Sequence, residues 1–260
     1  MQQRLWILGG LSIAVMMAAL LLPPVSQPID YHQFADQRSF LNIPNFNDVV
    51  SNLAFLLSGG AGLVFLFHVY QAPVQKAFRN KVECLPYGVL FLSVAASGLG
   101  SMVYHWAPDN AHLLWDRLPI AMGITALLAA TLVERVSTTL GLWSLPCLVT
   151  LGVLSVLYWY WTEQQGAGNL NFYIVTQFYS ILLIILLNVL YPSCYMYAKD
   201  IYQVIAVYAV AKLAEMLDVQ IYSLTGHFIS GHTLKHLLAA LAVYWIVQML
   251  QKREFLSERL

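Results

Sequence analysis

Residues 84–105 read CLPYGVLFLSVAASGLGSMVYH, a run without one Asp, Glu, Lys or Arg that ends on a histidine. A helix that crosses a bilayer needs about 20 mostly apolar residues, so this run is long enough to span. Seven more stretches meet the same test: 5–22, 48–68, 113–133, 141–161, 172–191, 201–220 and 233–250. Across its 260 residues the chain is 59% hydrophobic and 10% charged, against roughly a quarter charged in a soluble domain. The fold class expected is therefore all-α: a polytopic membrane bundle with a seven-transmembrane core and one extra N-terminal transmembrane helix.

That extra helix occupies residues 1–29. Its apolar run continues into Leu20-Leu21-Leu22-Pro23-Pro24 without a small-residue cleavage site, which favours a retained helix or signal anchor over a removed leader. Residues 30–250 form the seven-transmembrane domain, and 251–260 a short cytoplasmic tail. Thirteen Lys+Arg balance thirteen Asp+Glu, and no basic run or Gly-rich phosphate loop is present, so nucleic acid is excluded as a partner and lipid is expected instead. The three cysteines lack CxxC spacing and suit neither a disulfide framework nor a thiolate metal site.

Alternating spans assign each loop to a side. One side receives Arg4, Lys76, Arg79, Lys81, Arg135, Lys199, Lys252, Arg253 and Arg259, and the other only Arg38, Arg117 and Lys235. Positive charge marks the cytoplasmic face, so both termini are expected there. Six of the seven histidines then map to the opposite end, leaving only His68 near the basic one.

Ser101 and His105 are four residues apart, as are His232 and His236, so each pair projects from one helix face about one turn apart. An i, i+4 histidine pair can chelate a metal. With His105 from a separate helix, the set becomes three imidazoles with a fourth position open, as expected of catalytic zinc, which lowers the pKa of bound water and polarises a carbonyl. Asp116, across a short turn from His105, is placed to act as general base and then general acid, and Ser101 to steady an oxyanion. Asp218 and His227 are candidates for groups that contact the ligands from behind. His32 and His112 read as interfacial side chains, Lys212 and Glu215 as a self-neutralising pair, and Asp48, Ser51 and Asn52 as helix-packing polar groups. The segment Tyr158 to Trp161 reads as an aromatic belt.

The pattern Ser101-x3-His105-x10-Asp116 followed by His232-x3-His236, with stretches such as YHWAPDNAHLLWDRLP and SGHTLKHLLAALA, resembles the alkaline ceramidase family, in particular its bacterial branch. That family lies within the seven-helix membrane hydrolases that include the adiponectin receptors. The resemblance runs from about Asp30 to Leu250. It implies a zinc-dependent amidase that cleaves ceramide into a sphingoid base and a fatty acid, with His105, His232 and His236 as zinc ligands, Asp116 as acid/base and Ser101 as oxyanion stabiliser. Eukaryotic members carry an acidic calcium site before the first core helix. Here Arg38 lies among Asp30, Asp36 and Asp48, and Asn45 stands where a glutamate is expected, so calcium is not carried over. The same metal chemistry would serve another N-acyl or ester lipid, and a receptor-like protein would hold the zinc structurally. A bacterial inner membrane is the expected location, with the site on the periplasmic side.

Overall fold

Inside lipid a helix lets a single apolar segment satisfy all its backbone hydrogen bonds internally, and the chain uses helices almost throughout. The computed structural model describes residues 2–72 and 76–256, so Arg259 and the end of the expected tail lie outside the described residues. In chain order the helices are α1 (Gln2–Leu21), α2 (Phe46–Val50), α3 (Leu53–Gln71), α4 (Cys84–Trp106), α5 (Asn110–Arg135), α6 (Thr138–Gln164), α7 (Asn171–Leu190), α8 (Asp200–Met216), α9 (Asp218–Leu224) and α10 (Gly231–Lys252). Among the described residues, seven segments are long and apolar enough to cross a membrane: α1, the Phe46–Gln71 segment that joins α2 to α3, α4, α5, α6, α7 and α10. The protein is an all-α, multi-pass integral membrane protein.

The stretch expected at 201–220 differs in detail. It forms the 17-residue α8, breaks at Leu217 and resumes as α9. The break has a local cause, because the Asp218 carboxylate turns to accept the backbone N–H groups of His232 at 2.7 Å and Ala35 at 2.9 Å. Even so, α8 runs the length of its neighbour α10. Just before its start, Met196 N–H donates to the Glu254 carbonyl beyond the end of α10. Near its own end, Glu215 accepts from Lys235 in the first turns of α10 at 2.8 Å. The helix count therefore keeps the parity on which the clustering of histidines depends.

The bundle packs as α3 on α4, α4 on α5 and α5 on both α6 and α7, with α10 against α3 and α8. Its core includes the fully buried Phe91, Ile184, Ile246 and Leu250. α1 lies outside along α7, joined by Ser12 Oγ to Tyr179 Oη at 3.1 Å. At one end Arg4 donates to the Leu190 carbonyl, Arg135 to the Tyr191 carbonyl and Arg253 to the Ala77 carbonyl, while Arg253 also pairs with Glu134. His105 and the start of α10 lie at the other end. The cysteines are free thiols.

Two glycines permit the approach that assembles this second end. A Cβ on Gly100 would lie 2.1 Å from the Trp115 carbonyl oxygen, and one on Gly231 would lie 2.1 Å from that of Ala214. The first contact holds α4 against the start of α5, and the second holds the start of α10 against the end of α8. Because the obstacle is backbone in both places, no side-chain rotation relieves it. Gly100→Ala is expected to destabilise by about 1–3 kcal/mol, read as a lowered thermal midpoint in detergent beside Gly60→Ala, whose Cβ would meet nothing within 4 Å.

Candidate metal centre

Each ligand-bearing helix is anchored at the end where its histidine sits. Ser230 caps α10 by accepting from Thr233 N–H at 3.0 Å, and Asp109 caps α5 by accepting from His112 N–H at 2.7 Å. Such caps satisfy N–H groups that the helix cannot. Buried Asp48 on α2 reaches the same α10 start, accepting from Thr233 Oγ1 at 2.5 Å and Ser230 Oγ at 3.3 Å. At the end of α4 the Asn45 side chain donates to the His105 carbonyl at 2.8 Å.

These anchors bring His105, His232 and His236 together. All three are buried, and one nitrogen from each lies within 4.8 Å of the others. Their ring centroids form a nearly equilateral triangle, 4.8, 4.9 and 4.9 Å apart. Nε2 of His105 and Nε2 of His232 approach to 3.2 Å. Phe34 covers the pair, with its ring 4.5 Å from that of His105 and 4.9 Å from that of His232.

The hydrogen-bond network assigns one tautomer. Ser51 Oγ donates to the Asp48 carbonyl at 3.2 Å, so it accepts from His236 Nδ1–H at 2.8 Å. His236 Nε2 then carries a free lone pair, and it is buried without a hydrogen-bond partner. A buried, unpartnered imidazole nitrogen costs about 1–3 kcal/mol, and a cation shared by the three rings removes that cost. Orientation of a ligand histidine through its other ring nitrogen is the usual arrangement at metal sites. The buried trio can hold a metal ion, and nitrogen donors of this kind suit zinc, copper, iron or nickel.

The chain matches no protein-family model and no curated protein. The reading of this centre therefore rests on its own geometry.

The other expected residues divide. Asp116, 8% exposed, and Ser101, 3% exposed, are buried, and with His236 they line a cavity of about 190 Å³. That cavity continues between the helices past Ile120, Ile124, Ile184 and Ile246. Asp218 holds backbone N–H groups rather than a histidine ring, so it fixes the start of α10. His227 is exposed at φ +66°, its ring against Tyr222, and takes no part in the trio. His32 bridges Tyr104 and Asn110 at 3.0 and 3.1 Å.

Sequence reading missed three contributors. Ser51, taken for a packing group, orients His236. Lys235 joins the Lys212–Glu215 pair and lies 2.9 Å from His232 Nε2. Trp159, taken for part of a belt, is fully buried beneath Arg117, whereas Trp161 is 60% exposed as a belt residue should be. Only Ser51 left a trace, as a polar position three residues after Asp48 at the start of an apolar run.

The cover over the site has its own electrostatics. Burial opposes charge on Asp36, but hydrogen bonds from Arg38 and Asn47 hold its carboxyl below the ordinary carboxylate range. Since the folded value is the lower one, this contribution is fully present above pH of about 4 and is lost as acidification protonates the group.

Ser51→Ala is expected to weaken metal binding about 10–100-fold while leaving helicity and the thermal midpoint of the metal-free protein close to wild type. Competition with a chromophoric chelator measures it, and unchanged affinity would remove Ser51 from the site.

Proposed function

We propose that the chain is a zinc-dependent membrane amidase that hydrolyses the N-acyl bond of ceramide or a ceramide-like lipid. The observation that carries the reading is the buried imidazole trio, one member of which, His236, lines a largely apolar cavity together with Asp116 and Ser101. In tetrahedral zinc coordination, nitrogens at about 2.0–2.1 Å from the metal lie roughly 3.3 Å apart, and the His105 and His232 Nε2 atoms are 3.2 Å apart. Three nitrogen ligands leave one position open, the pattern of catalytic rather than structural zinc.

His105, His232 and His236 would hold the ion. Zinc supplies a Lewis acid for the scissile carbonyl and lowers the pKa of water toward 7. Asp116 takes the proton of the attacking water and returns it to the amide nitrogen, which makes the amine a competent leaving group. The Ser101 hydroxyl, which lines the cavity together with that carboxylate, donates to the oxygen on which charge develops. Phe34 shields the rings from bulk water on one side, and the isoleucines along α5 and its neighbours accommodate the acyl chain. A lipid reaching this cavity from the bilayer never has to enter water fully.

The basic end supports an orientation. Arg4, Lys76, Arg79, Arg135 and Arg253 gather away from the histidines, and positive charge favours the cytoplasmic face. The reading thus places the site on the periplasmic side of a bacterial inner membrane, with its partner a membrane lipid.

Asp116→Asn is expected to retain zinc and lose turnover by a factor on the order of 10²–10⁴. Fatty acid released from a short-chain ceramide, with zinc content measured on the same preparation, provides the check. Release from a glycerolipid ester but never from an N-acyl lipid would overturn the amidase reading.

A further inference from the structure

Arg117 follows the proposed acid/base and is 4% exposed. Its guanidinium sits against three aromatic rings, 4.1 Å from the Trp159 centroid, 5.0 Å from Tyr173 and 5.2 Å from Tyr31. Nη2 donates to Gln27 Oε1 at 2.7 Å. Nη1 is buried and bonds to nothing among the described residues, and no carboxylate there forms an ion pair with the side chain.

Aromatic faces attract a guanidinium by roughly 0.5–2 kcal/mol, which eases the burial of charge but satisfies no N–H. A buried cation is strongly disfavoured until an anion with hydrogen-bond acceptors meets it. Arg117 lines the same cavity as Asp116, Ser101 and His236, and so do Lys212, Lys235 and Glu215. Three cations thus face two carboxylates in that wall before any metal ion is counted. A neutral diol headgroup gives such a wall no countercharge, whereas a carboxylate, phosphate or sulfonate does.

The position of the charge along the lipid follows from α5. Ile120, Ile124 and Leu127 line the cavity at successive turns beyond Asp116, so the acyl chain runs that way. Arg117, next to Asp116 in the chain, lines the polar end of that cavity, and an acyl chain directed along α5 leaves this end to the amine half. We propose that Arg117 is a specificity-determining residue that binds an anionic group on the amine half of an N-acyl lipid. Resting on the hydrolase reading for the placement of the amide, this narrows the ceramide-like substrate to an anionic one.

Binding and turnover separate the two claims. The purified full-length protein, in non-ionic detergent, is titrated with uncleavable ketone analogues of N-lauroylglycine and N-lauroylethanolamine in which CH2 replaces the amide NH. The anionic analogue is expected to bind about 10-fold or more tightly, as a charge-assisted pair in a buried site should. Arg117→Gln is expected to bring the two to near equality, and Arg117→Lys to keep part of the difference. Equal affinity of the wild type for both analogues overturns the anion site, whatever the variants do. So does a wild type that binds laurate tightly but the two analogues alike, since the charge recognised would then belong to the acyl product. The same protein is given the cleavable amides. If it prefers the anionic ligand yet cleaves neither, the anion site stands and the hydrolase reading fails.

Discussion

Three imidazole rings buried within 5 Å of one another leave nitrogen lone pairs in an apolar interior, and the head of the bundle is arranged around that condition. His236 Nε2 finds no hydrogen-bond partner among the described residues, and protonating the rings would bury positive charge beside Lys235. A shared cation resolves the conflict. Several other groups at this end of the molecule aim the rings or shield them.

The aiming is done largely by polar groups that bond to the helix ends. Asp218, Asp48 and Ser230 converge on the first turn of α10, and Asn45 grips the last turn of α4. Two histidines on α10 and one on α4 are thereby set against each other by helix ends. The apolar contacts deeper in the bundle set only the spacing of the helices, with Gly100 and Gly231 allowing the two closest approaches. Ser51 then fixes the ring of His236 through a hydrogen bond that also selects its tautomer. Division of labour of this kind explains why a membrane chain whose surface is otherwise plain carries so many polar residues near one end.

Much of this was legible in the sequence. Apolar runs free of charge located the spans, because lipid admits few alternatives to a helix. The i, i+4 spacing at Ser101/His105 and His232/His236, combined with an alternating path, placed the trio and Asp116 together. Contacts between helices distant in the chain were not legible. Ser51 and His236 are 185 positions apart, and Arg117 meets Trp159 only because α5 packs on α6. Asp218 was expected to orient a histidine ring, yet its partners are backbone N–H groups that no side-chain pattern announces. His227 was misjudged because a loop histidine five residues before His232 is close in sequence but turns outward at a positive φ. The break at Leu217 was likewise invisible, since hydropathy continues through it while Asp218 bends the chain.

The trio as a mononuclear zinc site is tested most directly by zinc K-edge absorption spectroscopy on the purified, metal-replete protein, with zinc content measured in parallel. The account predicts one zinc per chain and multiple-scattering features of three imidazoles, with nitrogen at about 2.0–2.1 Å and one further light ligand. Sulfur at about 2.3 Å, fewer than three imidazoles, or a spectrum unchanged by His105→Ala would contradict it.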